Sequence, residues 1–181
     1  MHQDLPLRRH ILLTGPPGCG KTTLLKRLAD ELRMLHPLGF YTEEIRQQGR
    51  RQGFRLVGLN GAMGLLAHVD FHGDPRVGKY GVAVDRFEGF LNTQKLEQVV
   101  TPLVFIDEIG KMECLSSRFV DLVRHLLDSP QILIATVALK GGGLITEVKQ
   151  RPDVALIEVD PGTRDRLVGV LVKRITALVE R

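Results

Sequence analysis

The stretch Arg9-His-Ile-Leu-Leu-Thr-Gly15-Pro16-Pro17-Gly18-Cys19-Gly20-Lys21-Thr22-Thr23 decides how the chain is read. Gly15, Gly20, Lys21 and Thr22 satisfy Gly-x-x-x-x-Gly-Lys-[Ser/Thr], and Gly18 adds a further glycine inside the loop. Glycine is needed where a backbone turns tightly and brings its N–H groups against phosphate oxygens with no Cβ in the way. Lys21 is placed to reach the β- and γ-phosphates of a nucleotide, and Thr22 to offer its hydroxyl to Mg²⁺. The surroundings agree. Ile11, Leu12 and Leu13 precede the loop as an apolar strand, and Leu24, Leu25, Leu28 and Leu32 follow it at helical spacing. Phosphates would then sit at a helix N-terminus, where free N–H groups and the helix dipole favour negative charge. Gly15, Pro16, Pro17, Gly18, Cys19, Gly20, Lys21, Thr22 and Thr23 are the candidate nucleotide-binding loop. The plainer alternative is a glycine turn that binds nothing.

A second signal lies far downstream. Leu103-Val-Phe-Ile106 is a continuous apolar strand that runs straight into Asp107-Glu108. In an open α/β sheet the C-terminal strand ends border the ligand crevice, so a carboxylate there lies beside the phosphate loop. Asp107 can hold Mg²⁺ through its water shell, which makes Thr22 and Asp107 the candidate metal residues and Mg²⁺ the expected cofactor. Glu108 points to the other side of the strand or into the next loop, where it can polarise a water in line with the γ-phosphate. Lys21 and Glu108 are thus the catalytic candidates. Alone, such a pair could equally cap a strand end. Gly110 and Lys111 follow at the same edge; Lys111 either meets a phosphate, restrains Glu108 or pairs with Glu113. Thr136, at the end of the next buried strand, either senses the γ-phosphate or bonds its own backbone.

Ile106-Asp-Glu-Ile-Gly-Lys-Met-Glu113 resembles the signature of the P-loop nucleoside-triphosphatase family of the thermophile NTPase and human cancer-related nucleoside-triphosphatase type. Gly39-Phe-Tyr-Thr-Glu-Glu-Ile-Arg46, with Gly49, Arg51, Gly53 and Phe54, is similar to that family's hairpin, and Val77-Gly-Lys-Tyr-Gly-Val82 also matches. With the phosphate loop, these blocks span residues from about 10 to 140 in the family order. The resemblance implies slow Mg²⁺-dependent hydrolysis of several nucleoside triphosphates by one P-loop domain. One departure matters: Gly162-Thr163-Arg164-Asp165 stands where the family often carries Asn-Arg-Asp, which removes any base or ribose contact from that asparagine. The guanine-reading pattern Asn/Thr-Lys-x-Asp is also absent.

The 181 residues fit a single domain, residues 1–181, large enough to bury a substantial core. Hydrophobic residues make up 43% and charged residues 25%, ordinary for a soluble protein, and no apolar stretch approaches membrane-spanning length. The opening Met-His-Gln-Asp-Leu-Pro has no apolar core ahead of Arg8-Arg9, unlike a signal peptide. Cys19 and Cys114 have neither disulfide-framework nor zinc spacing. Together these features point to a cytoplasmic protein without membrane partners; they do not fix the oligomeric state, for which a monomer is the favoured reading. The net charge of +4 suits a polyanionic ligand without selecting one.

Between the two motifs, a helix is predicted from Lys21 to Leu35, a strand from Phe40 to Arg46, a polar turn from Gln47 to Gly53 and a return strand from Phe54 to Leu59. Gly61 to Gly81 reads as irregular apart from an apolar piece at Leu65 to Val69. Val82 to Val84 reads as a short strand, and Asp85 as the cap of a helix carrying Phe87, Phe90, Leu91, Leu96 and Val99. Ser116-Ser117 can cap a helix through Leu127. Strands at Ile132 to Val137 and Val154 to Val159, and a helix from Thr163 to Glu180, complete the chain. Strands without alternation, separated by helices, predict an α/β fold: three layers, a mostly parallel central sheet and one inserted β-hairpin.

Weaker features have ordinary readings. Alternation sends Glu43 and Glu44 to opposite faces of their strand, so one of them can approach the nucleotide or both can stay in solvent. Arg46, Arg50, Arg51 and Arg55 form either a solvated face or a nucleic-acid contact, the latter weakly supported. His68 and His72 flank Asp70 without a third ligand at recognised spacing. Hydrolysis of ATP, GTP, CTP and UTP is the leading function. A nucleoside or small-molecule kinase would use the same loop with the hairpin arginines as a lid, and a nucleotide-dependent RNA-associated switch would use them on RNA.

Overall fold

The computed structural model describes residues 8–72, 75–98 and 100–180. The opening residues 1–6, read above against a signal peptide, and Val99, assigned to a helix face, lie outside the described residues. In chain order the elements are β1 (His10–Thr14), α1 (Lys21–Glu31), β2 (Leu38–Gln47), β3 (Arg50–Gly58), β4 (Met63–His68), β5 (Arg76–Val77), β6 (Tyr80–Val82), α2 (Val84–Gln94), β7 (Leu103–Ile109), α3 (Ser117–Asp128), β8 (Ile132–Val137), α4 (Leu144–Gln150), β9 (Val154–Glu158) and α5 (Arg164–Val179). The strands form one sheet in the order β5-β6-β4-β3-β2-β7-β8-β1-β9.

Continuous apolar strands need partners on both faces, and here successive residues alternate between two cores. Ile11, Leu13, Leu103, Phe105, Ile132 and Ile134 face α1 and α5, where Leu24, Leu28, Leu171 and Ile175 cover them. Leu12, Val104, Ile106, Leu133 and Ala135 face the other way, against Phe87 of α2, Phe119 and Val123 of α3 and Val148 of α4. This gives the three layers. Within the sheet, β2-β7-β8-β1-β9 pair in parallel. The fold is α/β, as the sequence predicts.

The inserted hairpin is present and larger than expected. β2 and β3 meet through a two-residue turn at Gln48 and Gly49, both left-handed at φ 48° and 76°. Such a turn suits the strand twist, and it lets pairing begin at Arg50 rather than Phe54. β4 then pairs antiparallel with β3, and β6 with β4, in the stretch that reads as irregular. Its partners, not its own pattern, make it a strand. The predicted strand from Val82 to Val84 is corrected to Tyr80–Val82, and Val84 already opens α2. Ala83 is the N-cap residue of α2, without a side-chain bond, while Asp85 lies in the first turn.

Helix ends follow local chemistry. α1 stops at Glu31, four residues short of the predicted end, and gives way to a 3₁₀ turn at Arg33–Leu35. Pro37 disfavours helix at the residue before it, and His36 sits left-handed at φ 48°. Ser116 caps α3 as expected, its Oγ accepting the Phe119 N–H at 3.0 Å. The short helix α4 goes unread in the sequence because three glycines precede it and only seven residues make it.

Phe40 pins the antiparallel extension to the helices on its face. It is fully buried, with ring centroids 6.0 Å from Phe87, 5.6 Å from Phe90 and 6.5 Å from Phe119. Phe40→Ala is expected to cost about 3–5 kcal/mol of stability by leaving a cavity there, measured as a fall in the urea midpoint with the slope unchanged. A cost under about 1 kcal/mol would mean that the site collapses and the ring carries little of the packing.

Candidate functional site

The glycine loop leaves β1 and turns into α1 with Gly18 at φ 78° and Gly20 at φ 98°. The first helical hydrogen bond runs from Leu24 N–H to the Gly20 carbonyl. The N–H groups of the opening turn therefore have no partner inside the helix. Gly20 caps the helix without a side-chain bond, and no acid stands in the first turn. A helix start with neither cap nor carboxylate is built for an anion from outside the chain. Pro16, Pro17 and Gly18 are exposed at the loop tip, whereas Cys19 is buried beneath it. Lys21 folds back into the cradle, its Nζ donating to the carbonyls of Gly15 at 3.0 Å and Pro16 at 3.2 Å.

Asp107, at the end of β7, is 1% exposed and gathers three threonines from three other elements. Thr22 Oγ1 of α1 donates to it at 3.0 Å and 3.1 Å. Thr42 of β2 donates through Oγ1 at 3.1 Å and through its N–H at 3.3 Å. Thr136 of β8 donates at 2.5 Å, so its hydroxyl bonds this carboxylate and not its own backbone. β8 lies between β1 and β7, which puts Thr136 between the phosphate loop and the two acids. Thr42 carries no signal in the sequence, since one threonine in a strand gains meaning only once that strand's neighbour is known.

Glu108 lines the same cleft as Gly20, Lys21, Thr22 and Asp107, a space of about 410 Å³. Its carboxyl is held above the usual carboxylate range, first by burial and then by the charge of Asp107; Lys21 and Lys149 act in the opposite direction. The Asp107–Glu108 peptide bond is cis. Gly110 lies between two carboxyls: a Cβ there would come within 2.8 Å of Glu113 Oε2 and 2.9 Å of Glu108 Oε1. Lys111 is exposed at the rim.

Glu113 departs from its expected role as a surface partner of Lys111. It is 6% exposed, and burial pushes its carboxyl up to about 8. The weaker candidates separate as follows. Glu43 is bonded by Lys26 at 3.3 Å and Arg55 at 2.7 Å, while Glu44 lines the cleft and is bonded by Arg46 at 2.6 Å and Arg51 at 2.8 Å. Three of the four hairpin arginines are thus matched by two glutamates. His68 Nδ1 lies 3.4 Å from Asp70. Among the described residues no three His, Cys, Asp or Glu side chains come together as a metal cage.

The donor set around Asp107 fits a small hard cation. It offers one carboxylate and the Thr22 hydroxyl, all oxygen, beside a phosphate cradle. Mg²⁺ is commonly held in this way, by one or two protein oxygens together with water and substrate phosphates.

The model of a family described as NTPase matches residues 10–172. The chain belongs to this family. Nucleoside-triphosphatase THEP1 of Thermotoga sp. (strain RQ2) is 40% identical over 161 residues, which cover 88% of this chain and 91% of that protein. The cancer-related nucleoside-triphosphatase of Homo sapiens is 38% identical over 182 residues, covering 92% and 96% respectively. The crystal structure of THEP1 from Aquifex aeolicus superposes with a TM-score of 0.80 at 33% identity, covering 92% of this chain and 98% of that one. The solution structure of the human protein gives 0.77 at 37% identity, covering 93% and 98%. This NTPase fold therefore extends over nearly the whole chain, including the antiparallel extension.

The buried acid of this NTPase leaves a signature in its stability. The raised folded pKa of Glu113 means that its contribution to stability is complete below the unfolded value of 4.5 and is lost as pH rises through about 8. Glu113→Gln removes this loss. In urea unfolding from pH 5 to pH 9, the variant is expected to gain on the parent as pH rises and to level off above about 8. An unchanging difference would show that Glu113 titrates normally.

Proposed function

We propose that this NTPase hydrolyses nucleoside triphosphates to diphosphate and phosphate, with Mg²⁺ as cofactor and little selection among bases. The observation that carries this reading is Glu108: a half-buried carboxyl, raised in pKa, beside Asp107 and in one cleft with Lys21. The names of the relatives, nucleoside-triphosphatases, support it.

The chemistry follows from what each group can do. Backbone N–H groups of the glycine loop and the free start of α1 bind phosphate oxygens. Lys21 exchanges its two carbonyl partners for the β/γ-phosphates, a stronger, charge-assisted pairing. Thr22 and Asp107 would hold Mg²⁺, which when bound shields the charge on the phosphate oxygens. Thr136, bonded to Asp107 on the intervening strand, orients that carboxylate. Glu108 in its ionised form accepts a proton from the attacking water, and its raised pKa makes it a better base than an exposed glutamate. Positioning and electrostatics thus do most of the work, as phosphoryl transfer requires. The kinase reading needs a mobile arginine lid, and the engagement of Arg46, Arg51 and Arg55 with Glu43 and Glu44 offers it no support.

Two conservative variants test these roles. Glu108→Gln keeps shape but cannot take the proton, so kcat for ATP is expected to fall by about 10²–10⁴ while ATP affinity holds. Asp107→Asn is expected to raise the Mg²⁺ concentration needed for half-maximal turnover as well as lowering kcat. Phosphate release across a Mg²⁺ series, with ATP binding by calorimetry, reads both. Hydrolysis by Glu108→Gln within about twofold of the parent would remove Glu108 as the base, given what loss of a general base ordinarily costs.

A further inference from the structure

The cleft with Asp107 and Glu108 receives the γ end of a triphosphate, so the nucleoside must leave the loop on its other flank. That flank is formed by β9, which pairs with β1 on the side away from β8, and by the start of α5. Val159 N–H donates to the Thr14 carbonyl at 2.7 Å and fastens the strand end beside the loop. Arg164, the first residue of α5, reaches back over the loop. Its Cδ and Nη1 lie 2.6 Å and 2.8 Å from the position that a Cβ on Gly20 would take. Gly20 therefore admits the arginine as well as the phosphates.

The rest of that flank narrows what a base can meet. Residues 8–39 and 120–180, which supply β1, α1, β9 and α5, contain no Phe, Tyr or Trp. A planar side chain that does lie against the loop, at Gly20, is the Arg164 guanidinium. Asp165, which accepts from Arg164 Nε at 3.4 Å and from Arg27 Nη1 at 2.6 Å, holds its near side. The other acid nearby, Asp160, spends its carboxylate on its own turn, accepting from Gly162 N–H at 2.8 Å, Thr163 N–H at 3.0 Å and Thr163 Oγ1 at 2.6 Å. Both acids are thus engaged by groups of the protein itself.

We infer that Arg164 is the nucleobase platform of this protein: its guanidinium stacks on the face of the base and binds purines and pyrimidines alike. The inference rests on the nucleotide-binding reading above and adds the subsite for the base. A guanidinium plane stacks on any aromatic face and carries no pattern of donors and acceptors that distinguishes one base from another. Broad base use then follows from how the base is held. The asparagine missing before Arg164 is not needed for this contact.

Inorganic tripolyphosphate is the discriminating probe, since it has the phosphates and no base. Calorimetric Kd values for ATP, GTP, CTP, UTP and tripolyphosphate, all with Mg²⁺, are compared in the parent, Arg164→Ala and Arg164→Lys, each checked for an unchanged melting curve. Arg164→Ala is expected to weaken all four nucleotides by about five- to tenfold, the size of a partly exposed cation–ring contact, and to leave tripolyphosphate within about twofold. Arg164→Lys keeps the charge without the plane and is expected to stay near the alanine variant for the nucleotides. Equal weakening of tripolyphosphate and ATP would overturn the inference, placing Arg164 on the phosphates, as would nucleotide affinities unchanged from the parent. Because the readout is binding, a parent that binds nucleotides without hydrolysing them would overturn the hydrolytic reading and leave the platform standing.

Discussion

The carboxylate of Asp107 is the point on which the rest of the site depends. Removing a carboxylate from water costs several kcal/mol unless its oxygens are satisfied. Here four donor groups do so, from Thr22, Thr42 and Thr136. Each hydrogen bond to a charged group returns roughly 1.5–3 kcal/mol. The same bonds hold α1, β2 and β8 to the end of β7, so the phosphate loop and the acids keep one spacing. A chemical group and a structural joint coincide at this residue.

The neighbouring acids are arranged by the opposite principle. Glu108 and Glu113 approach each other beside Gly110, and burial raises both carboxyls above their usual range. Lys21 and Lys149 offset part of this charge at Glu108, and Lys21 donates to the carbonyls of Gly15 and Pro16. Acidic and basic side chains thus stand together in the cleft beside the glycine loop. Such an arrangement favours a ligand that brings both phosphates and a cation. It also raises the basicity of Glu108, which the proposed role of that residue requires.

The hairpin shows how neighbours change the meaning of a sequence feature. Four arginines in ten residues suggest a polyanion contact. In the folded chain Glu43 and Glu44, on opposite faces of β2, take up Arg55, Arg46 and Arg51, and Arg51 Nε also donates to Tyr80 Oη at 2.9 Å. The cluster is in large part an internal network along β2, β3 and β6. Its acidic half lies in the same strand as Thr42, so the network borders the cleft without supplying a free cation to it.

Local order carries information that a sequence can show by itself. The glycine loop presents its own backbone, and the strand before it and the helix after it are contiguous with it, so the loop and its place in the fold are legible from residues 9 to 32. The acids at Asp107 and Glu108 are legible for a similar reason, as a buried apolar run ends on them. Helix caps such as Ser116, and the alternation of core residues, also depend on near neighbours. What only the tertiary structure decided is whatever needed two distant segments at once. β4 is a strand because β3 offers it an edge, and β6 because β4 does; their own six and three residues carry too little pattern to say so. Thr42 and Thr136 meet Asp107 only because β2 and β8 flank β7 on its two sides. Glu113 becomes a buried acid, and Arg164 a neighbour of Gly20, through packing across the sheet. Backbone chemistry is written in consecutive residues; the environment of a side chain is set by elements that the chain order keeps apart.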